Sequence, residues 1–182
     1  KADVGGGVRS QAVGFSIGTK GYIGTGDNGG LNFYKDFWEW DQTTNIWSQK
    51  ADFGGLKRWF ATGFSIGSKG YIGMGSDLSG GFNDFWEYDP STNTWVQKAN
   101  FAGSARVSAV GFSIGTKGYI GTGGISSATG STNEFWEYNP TTNIWIQKAN
   151  FGGIPRLDAV GFSIGSKGYI GTGTDENQSN FL

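Results

Sequence analysis

Three pairs of carboxylates stand three residues apart along the chain: Asp36/Glu39, Asp84/Glu87 and Glu134/Glu137. Two carboxylates flanking one bond are the equipment of glycoside hydrolysis, one acting as acid and the other as base or nucleophile. Each pair here sits in the same wording, DFWE or EFWE. A catalytic pair would stand in one place, so the expected role is structural, a ladder on an outer strand or a bond between neighbouring repeats. A second stretch, Gly24-Thr25-Gly26-Asp27-Asn28-Gly29, satisfies G-x-G-x-x-G. That fingerprint holds a pyrophosphate only where a helix follows. No helical period follows, and the equivalent stretch 73–78 breaks the spacing, so no nucleotide site is expected. Four arginines, Arg9, Arg58, Arg106 and Arg156, open successive repeats. A guanidinium offers a rigid fork to carboxylates. These residues could meet a carboxylate-rich partner or bond loop carbonyls to lock adjacent repeats, and their sequence leaves both uses open.

The rest of the composition narrows the chemistry. The 182 residues include no His and no Cys. That removes the commonest general base, the commonest transition-metal ligand, thiolate sites and disulfides. No catalytic residue, metal or cofactor is expected. Net charge is −1, with no basic block to track a phosphate backbone, so nucleic acid is not an expected partner. No apolar run approaches a membrane span. With 34 Gly beside 8 Trp, 7 Tyr and 14 Phe, the chain reads as folded and rich in tight turns rather than disordered.

The elements that position these residues come from repetition. VGFSIGTKGYIGTG at 13–26 returns almost unchanged at 62–75, 110–123 and 160–173. The marker phenylalanines Phe15, Phe64, Phe112 and Phe162 are 49, 48 and 50 residues apart. A period near 50 marks a repeat architecture. In the second repeat the alternation predicts strands over 61–66, 71–75, 84–88 and 94–98. The turns between are Gly67-Ser68-Lys69-Gly70 and Asp89-Pro90-Ser91-Thr92-Asn93, the second with Asn suited to a left-handed conformation. Four antiparallel strands per repeat describe a β-propeller blade. The Gly-rich first two strands are expected near the axis and the aromatic third and fourth strands between blades.

These residues resemble the kelch repeat family. The family's leading Arg corresponds to Arg9, Arg58, Arg106 and Arg156, its third-strand Tyr to Tyr88 and Tyr138 with Trp40 in the first repeat, and its following Trp to Trp47, Trp95 and Trp145. Its Gly pair is spread by one residue, as in Gly24-Thr25-Gly26. The wording DFWEYDPSTNTWVQKA is similar to exported kelch proteins of Bacteroidetes-type bacteria. The resemblance implies an all-β, kelch-type propeller with full blades at about 9–53, 58–101 and 106–151 and an incomplete one at 156–182, forming a single partial domain. It implies a secreted or surface location and places the leading arginines near one mouth of the central channel. Copper chemistry of kelch-like oxidases needs Tyr, His and Cys, two of which this chain lacks.

Comparison among the copies finds variation in two places. One is the loop between the second and third strands. The other is the pair after each Arg: Ser10-Gln11, Trp59-Phe60, Val107-Ser108 and Leu157-Asp158. In a four-stranded meander both emerge on one face, where loops carry binding. Trp59 and Phe60 are the leading anchor candidates and Asp158 a single-copy acid. The expectation is therefore a non-enzymatic binding or adhesion scaffold for a protein or glycan. The alternatives are a non-catalytic portion of a carbohydrate-active or epimerase-like enzyme, or a subunit of a surface filament. The chain opens on Lys1 with wording that matches Lys50–Gly55, and the fourth copy lacks roughly fifteen residues of strand pair. It reads as a piece of a longer protein or as one that self-associates through open blade edges. One N-x-S sequon, Asn177-Gln178-Ser179, carries no expected role.

Overall fold

The computed structural model describes residues 1–30, 32–125 and 130–175. The Asn177 sequon lies outside them, as do parts of the variable loops. Every regular element among the described residues is a strand. Unit 1 comprises Val13–Ile17, Lys20–Gly24, Phe37–Asp41 and Ile46–Gln49. Unit 2 comprises Thr62–Ile66, Lys69–Gly73, Phe85–Asp89 and Thr94–Lys98. Unit 3 comprises Val110–Ile114, Lys117–Gly121, Phe135–Asn139 and Ile144–Lys148. Each forms an antiparallel four-stranded sheet in consecutive order. A fourth ladder pairs Val160–Ile164 with Lys167–Gly171.

Local chemistry sets these strands. The first hairpin closes tighter than the sequence predicts. Ile66 pairs with Lys69, so the loop is only Gly67-Ser68, with Gly67 at φ +57°. A two-residue hairpin loop requires such a left-handed residue, and Gly adopts it without steric cost. The second strand therefore starts and ends two residues earlier than predicted. It ends because Met74 and Gly75 turn to φ +54° and +80°. The second turn holds Asn45, Asn93 and Asn143 at φ 56°, 54° and 57°, as expected of Asn there. The Asn side chain is then bonded across the turn. Tyr88 Oη and Tyr138 Oη donate to Asn93 and Asn143 Oδ1 at 2.9 and 2.8 Å. Trp40 Nε1 makes the same bond to Asn45 at 3.2 Å, so the indole N–H replaces the phenol.

First strands of successive units lie beside one another, which puts them innermost, as expected. The glycines there act differently from the expected backbone approach. A Cβ on Gly118 would stand 2.5 Å from the Phe64 ring, and one on Gly70 would stand 2.5 Å from the Phe15 ring. These glycines form sockets for the phenylalanine of the preceding unit. Two apolar clusters result, and each spans two sheets. Val13, Ile17, Tyr22, Phe37 and Phe53 of unit 1 and its trailing connection join Ile72 and Tyr88 of unit 2. Phe64, Ile66, Tyr71, Phe85 and Phe101 join Ile120, Tyr138 and Trp145 of unit 3. Phe37 meets Tyr88 and Trp95 edge-on at 4.9 and 5.0 Å, and Phe85 meets Tyr138 and Trp145 at 4.9 Å. Edge-to-face pairs of this kind add about 0.5–1.5 kcal/mol each beyond area burial.

The socket makes a clean mutational contrast. Gly118→Ala drives a methyl group into the Phe64 ring and is expected to cost about 1–3 kcal/mol. Gly21→Ala, whose Cβ would find only ordinary contact with Trp40 at 3.7 Å, is expected to stay within about 0.5 kcal/mol of wild type. Urea unfolding of the two variants checks the pair.

Candidate binding face

The leading arginines are built into the wall of each unit. Arg58 and Arg106 have no exposed surface. Arg58 Nη1 and Nη2 donate to Asp84 Oδ1 and Oδ2 at 2.5 and 2.8 Å. Arg58 also donates to the Leu56 and Met74 carbonyls, and its guanidinium lies between the Phe53 and Phe82 rings. Arg9 forks onto Asp36 at 2.9 and 2.6 Å, and Arg106 donates to Glu134 at 2.7 Å. Arg156 donates to the Ile154 and Thr172 carbonyls. Of the two uses the sequence leaves open, the geometry matches the bonding of loop carbonyls, but within a unit rather than as a lock between adjacent repeats. The bidentate carboxylate is Asp84 of the same unit, and a partner at the surface does not reach Arg58 or Arg106.

The recurrent carboxylate pairs are thereby separated. Asp36, Asp84 and Glu134 serve the arginines and also accept from Trp38, Trp86 and Trp136 Nε1 at 2.7, 2.8 and 3.2 Å. Glu39, Glu87 and Glu137 accept from Tyr22, Tyr71 and Tyr119 Oη across a strand at 2.6, 2.5 and 3.1 Å. All these bonds lie within a unit rather than between units. Among the described residues no group of three or more carboxylates gathers to hold a metal.

The variable positions converge elsewhere. In each unit the connection after the Arg is bridged to the loop between second and third strands: Ser10 to Asp27, Trp59 to Ser76, Val107 to Gly124 and Leu157 to Thr174. Both variable segments thus share one face, as expected. The next residue in each copy takes a left-handed backbone: Gln11 at φ 48°, Phe60 at 51°, Ser108 at 54° and Asp158 at 54°. Non-glycine residues carry strain there, and such strain collects at sites the surroundings over-determine. Backbone bonds from Ser108 N to Phe60 O at 3.1 Å and from Asp158 N to Ser108 O at 3.3 Å link three of the four in an arc. With Ala12, Ala61, Ala109 and Ala159 they line a mouth of about 330 Å³. The same four alanines, with the opening Val or Thr and Gly of the four first strands, line an adjoining space of about 300 Å³.

Of the two anchor candidates, Phe60 lines this mouth and Trp59 does not. The Trp59 ring packs on Phe33 and Phe60 at 5.1 and 5.0 Å, and its Nε1 donates to Ser76 Oγ at 2.7 Å. Trp59 is half-buried support for Phe60. Gln11 and Ser108 complete the mouth and were not singled out by sequence. Their signal was position: each follows the Arg by two residues, like Phe60 and Asp158, but neither has a conspicuous side chain.

No protein-family model matches the chain, and no curated protein matches it. Among solved structures, that of YjhT superposes with a TM-score of 0.76 at 17% identity, covering 88% of this chain. The chain spans 58% of the length of that structure. At this identity the likeness concerns fold: this is an all-β, β-propeller-like assembly of antiparallel four-stranded sheets.

The arginine lock makes two expectations. Arg58→Ala leaves Asp84 without its buried counter-charge and is expected to cost about 3–5 kcal/mol in urea unfolding, with Arg58→Lys failing to restore the fork. Stability should also depend on pH at both extremes. Burial pushes Asp36 and Glu134 up, but hydrogen bonds from Arg9 and Trp38, and from Arg106 and Trp136, leave both below their ordinary values. A depressed carboxyl stabilises the fold above its unfolded pKa and loses that contribution as pH falls through the folded one. Burial pushes Tyr88 up to about 12, and burial with the Glu39 and Glu87 bonds also raises Tyr22 and Tyr71. A raised phenol stabilises below its unfolded pKa and loses this as pH rises through the folded value. Thermal melts should therefore plateau between about pH 5 and 9, then fall below about pH 4 and above about pH 10.

Proposed function

We propose that the chain is part of a kelch-type β-propeller that acts as a non-catalytic binding scaffold, offering its variable face to a protein or glycan outside a bacterial cell or at its surface. The observation that carries this reading is the arc of Gln11, Phe60, Ser108 and Asp158 around the mouth. Four copies of one rigid frame present four different side chains at one structural position. An aromatic ring, a carboxylate, an amide and a hydroxyl around about 330 Å³ suit a sugar or a short peptide, with apolar contact at Phe60 and directional bonds from the others. The resemblance of the DFWEY wording to exported kelch proteins supports the location. A second reading, the non-catalytic portion of a carbohydrate-active or epimerase-like enzyme, is favoured by Asp158, the one acid in that arc.

Glycan and peptide arrays test the proposal. A ligand is expected whose affinity falls about tenfold or more in Phe60→Ala and in Asp158→Ala, with the fold retained by near-ultraviolet circular dichroism. Thr116→Ala, on the repeated face, is expected to leave affinity unchanged. Loss of binding through Thr116 with Phe60 indifferent would end this reading. Turnover of a sugar only by a longer protein that contains these repeats, with KM raised and kcat retained in Asp158→Asn, would favour the second one.

A further inference from the structure

A cavity of about 270 Å³ opens between unit 3 and the fourth ladder, lined by Phe112, Ile114, Phe135, Phe151, Gly168 and Ile170 among others. The same position is filled at the two preceding junctions. Between units 1 and 2, Tyr88 and Trp95 of the third and fourth strands cover Phe37 and Phe53, which are 0% and 1% exposed. Between units 2 and 3, Tyr138 and Trp145 cover Phe85 and Phe101, which are 0% and 2% exposed. Their counterparts at the open junction, Phe135 and Phe151, are only half-buried, and Ile170 is half-buried where Ile72 and Ile120 are fully buried.

A polar clamp repeats in register with the aromatic one. Asn93 Oδ1 accepts from Ala51 N at 2.9 Å and Trp95 Nε1 donates to Ala51 O at 3.1 Å. Asn143 and Trp145 hold Ala99 in the same way, at 2.9 and 3.1 Å, and Asn45 and Trp47 hold Ala2. The corresponding Ala149 lies exposed on the wall of the cavity. Among the described residues, the outer edge of Lys167–Gly171 pairs with no strand, while the same edge of Lys117–Gly121 carries Phe135–Asn139.

We infer that this junction is a docking site for a β-hairpin of the repeat's own third- and fourth-strand type, with Tyr, then Asn five residues on and Trp two further. The hairpin adds its first strand to the Lys167–Gly171 edge by backbone bonds. Its Tyr and Trp fill the cavity against Phe135 and Phe151. Its Asn and Trp side chains clamp Ala149, and its leading carboxylate comes to Arg156 as Glu134 does to Arg106. The inference is independent of what the mouth binds, because it rests on packing that two closed junctions repeat.

The test adds a labelled synthetic peptide of the sequence 134–148, EFWEYNPTTNIWIQK, to the whole chain. One-to-one binding is expected, with amide hydrogen exchange slowed over Lys167–Gly171 and around Ala149. A peptide with alanine at both the Tyr138 and Trp145 positions is expected to bind at least about tenfold more weakly. Absence of binding, equal binding by the alanine peptide, or protection confined to other strands would overturn the inference. Should the free peptide aggregate, the same fifteen residues joined after Leu182 by a flexible linker are expected to raise Tm above that of the alanine-substituted fusion. Equal Tm values would also overturn it.

Discussion

A phenylalanine ring seated on two positions that have no side chain carries the architecture. Phe15 rests on Gly63 and Gly70, Phe64 on Gly111 and Gly118, and Phe112 on Gly161 and Gly168. Burying each ring removes apolar surface worth about 2–3 kcal/mol. That surface belongs to two sheets at once, so no sheet owns a core. The apolar clusters accordingly straddle sheets, and the aromatic wedge of third- and fourth-strand residues widens outward from the same seam. A unit of this kind is stable only beside another, which is the physical content of its repetition.

The polar network lies within each unit and stiffens it beside that seam. An Arg buried in each complete unit holds a carboxylate, a loop carbonyl and one or two aromatic faces, so the connection behind it cannot drift. The backbone of each Arg is also tied to the preceding unit: Gly26 N donates to Arg58 O at 2.8 Å, Gly75 N to Arg106 O at 2.9 Å, and Gly123 N to Arg156 O at 2.7 Å. Residues two after each Arg are thereby held in a left-handed conformation whatever their identity. Such a frame lets Gln, Phe, Ser and Asp replace one another at the mouth without loss of position. That tolerance sets the arc, whose side chains differ from copy to copy, apart from the turns at Gly67-Ser68 and Asp89-Pro90-Ser91-Thr92-Asn93, whose wording hardly changes.

Much of this was legible in the chain. The period, the four strands per repeat, the left-handed Asn turns and the shared face of the variable segments all rest on local rules: alternation, turn chemistry and the geometry of a meander. The carboxylate pairs were legible as structural because they recur, but their partners were not. Arg58 and Asp84 are 26 residues apart, and only the folded unit brings the fork to the carboxylate. Trp59 and Phe60 look alike in sequence. The left-handed turn at Phe60 sends it to the mouth while Trp59 packs on Phe33, a difference that neighbour identity does not encode.

By itself, then, the sequence determined the unit: its strands, its turns and which of its positions vary. These depend on contacts within a few residues and on repetition that can be read along a line. The tertiary structure alone decided what the glycines, arginines and aromatics are for, because each acts across a strand, a loop or a seam between units. Gly70 is a socket only when Phe15 arrives, Arg58 is a lock only when Asp84 closes on it, and Phe135 is a half-open surface only because nothing among the described residues covers it as Tyr138 and Trp145 cover Phe85.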